Sequence, residues 1–146
     1  MNHAEVESRY EIELEKYIKN VQIESRVMGD LAMNHVVSTA LKYQNKLAET
    51  ARNLVELGMT AEAEPIKDIL REISTRVIVI KKGVEAMIES RKKANNVVDT
   101  SERAKLYATE VKDHFELIRY EVDKLEEVVD DEDWPLVKYR ELLFVK

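Results

Sequence analysis

SERAKLYATEVKDHFELIRYEVDKLEEVV, residues 101–129, carries Ala104, Ala108, Val111, Phe115, Ile118, Val122, Leu125 and Val129 at alternating steps of four and three. Such steps average close to one turn of an α-helix, so all eight side chains fall on one side, as along the seam of a coiled coil or bundle. Asp99 stands just ahead, with Glu102 three residues on, a pairing that satisfies orphan amide groups of a first helical turn. Beyond the run, Trp134-Pro135 stops any helix still in progress, because proline disfavours helical geometry in the residue before it. The spacing therefore predicts a helix over 101–129.

Working outward, residues 65–95 repeat the pattern with Ile66, Leu70, Ile73, Val77, Ile80, Val84 and Met87. Pro65 suits a first helical position, where its missing N–H costs nothing. The inner run RVIVIKK (76–82) is β-branched and favours a strand locally. The three-four spacing continues unbroken on both sides of it, which decides for helix. Arg91, Lys92 and Lys93 complement the negative pole at its end.

Residues 5–57 form a third helical stretch with a discontinuity inside it. Tyr10, Leu14, Tyr17 and Val21 lie on one stripe; Met33, Val37, Ala40, Leu47, Ala51 and Leu54 lie on another, with Gln44 the polar exception. The two stripes are out of phase by two positions of the seven-residue repeat. The change falls near Gly29, where a bend is best tolerated. Gly58 stands where a glycine cap belongs. Fully helical, this stretch would run roughly 75–80 Å against roughly 45 Å for each of the others. Only the part after Gly29 is expected to match its neighbours, leaving residues 5–28 to project or fold back. The expected fold is all-α: an antiparallel bundle of three to four long helices in one domain, the first extended or bent near Gly29. Tyr10, Leu14, Tyr17 and Ile18 then form an apolar stripe that the bundle leaves open, which marks an interface.

Composition agrees and narrows the function classes. Three glycines and two prolines in 146 residues leave few chain breaks, and 36% of the residues are charged. With 23 basic and 29 acidic residues the net charge is −6, a field that repels polyanions and argues against general nucleic-acid binding. The KK and RKK clusters at 81–82 and 91–93 lack interleaved aromatics for base stacking. Without cysteine there is neither a disulfide framework nor a thiolate metal site. No apolar run approaches the roughly 18–20 residues needed to span a bilayer, and the N-terminus has no secretory leader pattern. A soluble cytoplasmic domain, without membrane or nucleic-acid partners, is the expectation.

The stretch QIESRVMGDLAMNHVV (22–37) gathers Glu24, Arg26, Asp30, Asn34 and His35, residue types from which metal and acid–base sites are built. On an α-helix Glu24 and His35 fall within about 20° of each other but roughly 16 Å apart along the axis, too far to share one ion. Asp30 falls on a different face from both. Arg26 and Asp30, at i, i+4, are spaced for a surface ion pair. A di-iron bundle would carry Glu-x-x-His on two helices. Ala32 precedes His35 by three and Val111 precedes His114 by three, so the motif is missing, and His3 lies at the terminus. Glu110 and His114 share a face at i, i+4 but stand alone. There is no phosphate-cradling glycine loop, no serine elbow and no cysteine nucleophile. The expected sets of catalytic, cofactor-binding and metal-ligating residues are therefore empty.

Two end segments carry a family likeness. VESRYEIELEKYIKNVQIESRVMGDLAMNHVVSTALKYQNKL at the start and DDEDWPLVKYRELLFVK at the end resemble the C-terminal region of type III glutamine synthetases. The likeness is strongest over 6–47 and 130–146. The family pattern N-H-x-x-P-T falls on Asn34, His35 and Thr39, with Ser38 in place of the proline. The resemblance implies a C-terminal piece of a longer ATP-dependent glutamate–ammonia ligase, with Met1 an interior residue. It implies ATP and Mg or Mn for the parent enzyme, bound in domains outside this chain. It also implies the catalytic domain and neighbouring subunits of a homo-oligomer as partners. The projecting helix and the tail, with Leu136, Val137, Tyr139, Leu142, Leu143 and Phe144 in nine residues, are the expected contact elements. For the tail the alternative is that it caps the bundle's own open groove. For the whole chain, the alternatives are a free-standing helical interaction protein that dimerises through its heptads and a metal-carboxylate bundle.

Overall fold

The computed structural model describes residues 3–129. Three long helices run up, down and up. The first comprises His3–Asp30, a π-helical segment Leu31–Val37, and Ser38–Glu56 without interruption. The second is Thr60–Asn95; the third comprises Thr100–Leu106, a π-helical segment Tyr107–Val111, and Lys112–Val128.

The turns are set by local chemistry. Gly58 takes φ +82°, the left-handed geometry that a Cβ disfavours. Its N–H donates to the Val55 carbonyl at 3.0 Å and that of Met59 to the Leu54 carbonyl at 2.8 Å, the paired bonds of a Schellman motif. At the start of the third helix the Asp99 carboxylate accepts the Glu102 N–H at 3.0 Å. Pro65 does not open the second helix. The helix begins at Thr60 and carries Pro65 inside its second turn, where the missing N–H forgoes one regular bond, to the carbonyl of Ala61.

The core forms one cluster. Ile73, Ile80, Val84 and Met87 of the second helix meet Ile18, Val21, Ala32, Val36, Val37 and Ala40 of the first and Val111, Phe115, Ile118 and Leu125 of the third. The β-branched run 76–82 is helical, with Ile80 turned fully inward and Ile78 outward. In the third helix the expected seam needs one correction: Ala108 is exposed and Tyr107 is completely buried. The π segment begins at Tyr107 and rotates the face so that Tyr107, Val111 and Phe115, at steps of four, all point inward.

The first helix neither stops nor folds back at Gly29. Gln22 bonds Asn95, Gly29 lies against Val84 and Met87, and Gln44 bonds Ser74, so the antiparallel register with the second helix continues past the π segment. The phase change seen in the sequence is a change of facing rather than of course. Buried or half-buried positions run 25, 28, 32, 36, 40, with successive steps of four across Leu31–Val37. In an α-helix each such step drifts about 40° around the axis; the wider i→i+5 turn takes up that drift. Bundling therefore begins near Ile18, earlier than the lengths alone indicated. Every residue from His3 to Glu13 is exposed, and this leading arm projects past the end of the second helix.

Candidate functional site

In the stretch 22–37, the π segment brings together what an ideal α-helix would separate. The Asp30 carboxylate accepts from Asn34 Nδ2 at 2.6 Å and lies 3.5 Å from His35 Nε2. Residues 30 and 35 become neighbours because a π turn places i and i+5 over one another. This corrects the separate faces expected for them, and the carboxylate engages these two side chains in place of Arg26. The cluster is open to water, with Asp30 57% and His35 51% exposed, so it holds its ligating atoms weakly. Among the described residues no three His, Asp or Glu side chains converge in a way that could hold a metal ion. Gly29 and Gly83 are helical and Gly58 closes a turn, so the glycines form no phosphate loop. Among the described residues this open pair does not make up a divalent-metal site.

His114 is directed across the bundle, with Nε2 3.2 Å from Ser90 Oγ of the second helix. Two further polar links tie the helices together. Gln22 Nε2 donates to Tyr107 Oη at 2.9 Å, and Tyr107 Oη donates to Asn95 Oδ1 at 2.5 Å, joining all three helices at one level. Arg76 Nη1 donates to Glu121 Oε2 at 2.9 Å, and the same guanidinium reaches Glu72 at 3.4 Å. The hydrogen bond to Glu121, more than any other influence, holds the Arg76 guanidinium above its ordinary pKa. These are structural fasteners: each is satisfied from within the chain. Sequence reasoning missed Tyr107 and the Arg76–Glu121 pair. Tyr107 was findable, since it stands three residues after Ala104 and four before Val111 and is far larger than Ala108.

What the bundle leaves open is apolar. Along the arm, Val6, Tyr10 and Ile12 are each about half exposed, and Leu14 and Tyr17 follow, half-buried, where the third helix begins to cover them. A second open surface runs between the first and third helices. They pack closely through Thr100–Leu106 and then diverge, each still held on the second helix. Between them lies a groove of about 470 Å³ floored by Val27, Met28, Ala32, Phe115, Ile118 and Val122. Glu24, Arg119 and Asp123 stand along its rim. The tail, 130–146, lies outside the described residues. Among the described residues no helix is long and apolar enough to cross a membrane.

These features define a class: an all-helical bundle with apolar residues exposed on its leading arm and in one groove. Residues 1–55, essentially the whole first helix, match the family model described as the glutamine synthetase C-terminal domain. Over 149 residues and 99% of its length the chain is 48% identical to a glutamine synthetase of Bacteroides fragilis. It is 25% identical over its full length to a type-3 glutamine synthetase of Dictyostelium discoideum. A glutamine synthetase of Butyrivibrio fibrisolvens is 24% identical over 96% of the chain. The chain is thus similar to the glutamine synthetase C-terminal domain along its first helix and to glutamine synthetases along its whole length. It spans about a fifth of the length of these relatives, 20% of each.

Proposed function

We propose that this chain is the non-catalytic helical domain of a longer type III glutamine synthetase. In that enzyme, which makes glutamine from glutamate, ammonia and ATP, it would support subunit packing. One observation carries the reading: the first helix outlasts its neighbours and displays Val6, Tyr10 and Ile12 on a fully exposed arm, whereas Ile18 of the expected open stripe belongs to the core. A lone helix of so few residues is marginal in water, and continuation from the bundle gives it little packing of its own. Its stripe is stabilised by burial against a partner, at about 25 cal/mol per Å² of apolar surface. The family match coincides with that same helix. ATP and divalent metal would be bound by the rest of the enzyme.

The test is removal of residues 3–13 from the intact enzyme. Ile18, Val21 and Ser25 belong to the core, so a longer deletion would damage the bundle itself. Light scattering is expected to show smaller assemblies while circular dichroism retains the bundle's helix content. Unchanged assembly and activity would refute the packing role.

A further inference from the structure

We propose that the groove between the first and third helices is the docking site of the chain's own C-terminal segment, residues 136–144. Among the described residues the first and third helices frame the groove where a fourth helix of a bundle would lie, and Val27, Phe115 and Val122 form an apolar floor. Three observations select this occupant.

The first is where the chain leaves the third helix. Val129 is buried and takes φ −82°, ψ 144°, so the backbone departs from the helical course while still against the bundle. Phe115 lies fourteen residues back, about 21 Å along the axis. Residues 130–144 span that distance even at about 1.5 Å per residue. The second is charge. The rim and the adjoining depression present Glu24, Asp113, Glu116 and Asp123 against Lys112 and Arg119. Segment 136–144 carries Lys138 and Arg140 against Glu141, the opposite balance. The arm of a second copy, with Glu5, Glu7, Glu11 and Glu13 against Arg9, would meet like charge there. The third is content: Leu136, Val137, Tyr139, Leu142, Leu143 and Phe144 supply apolar side chains suited to that floor. The inference stands apart from the packing role of the arm.

The chain has no cysteine, so introduced pairs report proximity cleanly. Val27→Cys with Leu143→Cys in the full chain is expected to close an intrachain disulfide under mild oxidation. It should do so at least tenfold faster than Ile78→Cys with Leu143→Cys, since Ile78 is an exposed position of the second helix. Reversing charge with Lys138→Glu and Arg140→Glu should slow the closure. As an independent reading, ending the chain after Asp133 should raise binding of an apolar dye several-fold, with helix content retained. Equal rates for the two cysteine pairs would overturn the proposal. So would predominantly interchain disulfides, which would give the groove to a second copy.

Discussion

Gly29 lies against Met87 with room for one more carbon: a Cβ there would meet Met87 Cε at 3.7 Å and Val84 Cγ1 at 3.6 Å, ordinary contact distances. The glycine at the phase change is therefore not required by close packing, and its backbone is helical. Gly29→Ala should stabilise the chain by about 0.5–1 kcal/mol through helix propensity, raising Tm by roughly 2–4 °C. Gly83 differs, because its Cβ would come within 3.3 Å of Ile118 Cγ1. Gly83→Ala should gain little or lose. Gly58→Ala, at φ +82°, should cost about 1–2 kcal/mol. Thermal melts that rank Gly29→Ala below the parent protein would show that the space beside Met87 is not usable.

The Arg76–Glu121 link predicts an asymmetric mutational response. Its side chains are 22% and 10% exposed, so removing one leaves the other poorly solvated. Arg76→Met should cost roughly 1.5–3 kcal/mol, and adding Glu121→Leu should recover part of that loss. Because the guanidinium's pKa is raised in the fold, its contribution is fully present below its ordinary value. It is lost only as pH rises through the raised one. Urea midpoints should thus show no loss from this arginine between neutral and moderately alkaline pH. Coupling that vanishes in moderate salt would mark the pair as an ordinary surface bridge instead.

Tyr107 joins the three helices through its hydroxyl and fills the core with its ring, and two substitutions separate those roles. Tyr107→Phe removes bonds to Gln22 and Asn95, but Gln22 still reaches Asn95 at 3.2 Å. The cost should lie near the lower end of about 0.5–1.5 kcal/mol. Tyr107→Ala should cost about 3–5 kcal/mol, since the ring is completely buried. Similar urea midpoints for the two variants would mean that the ring's packing contributes little.

The all-helical bundle was legible because amphipathic spacing is dictated by the same geometry that buries the seam. Residues 66–87 show this: a β-branched run that favours a strand locally is held helical by apolar neighbours at matching steps on both sides. The π segments were only half legible. Around Gly29 two stripes visibly failed to align, yet a bend, a break and a wider turn all produce that misfit. Around Tyr107 there was no misfit, because Ala104–Ala108–Val111 and Ala104–Tyr107–Val111 satisfy the three-four rule equally well. Side-chain volume separates them, and spacing does not carry volume. The Asp30–His35 contact was illegible for the same reason, since it exists only where the turn widens. Interhelical pairs such as Arg76–Glu121 depend on register between helices, which periodicity within one helix does not fix. The apolar stripe of the arm was readable, but its boundary followed from the second helix reaching Asn95 opposite Gln22.

Ser38 offers a direct test of the widened turn. It occupies the place of the proline in the N-H-x-x-P-T pattern and follows directly on Leu31–Val37. Its N–H bonds the His35 carbonyl, three residues back, rather than making the regular i−4 bond. A proline there forfeits one irregular bond, and the wider turn relieves the clash its ring makes with a preceding carbonyl. Glu49 lies in the regular α-helical part, Ser38–Glu56, and is exposed, so Glu49→Pro reports the full backbone penalty of about 3 kcal/mol or more. Ser38→Pro should cost less than half as much and leave helix content nearly unchanged by circular dichroism. Equal destabilisation by the two prolines would mean that the joint is held as rigidly as ordinary helix, leaving the widened turn no role in tolerating proline.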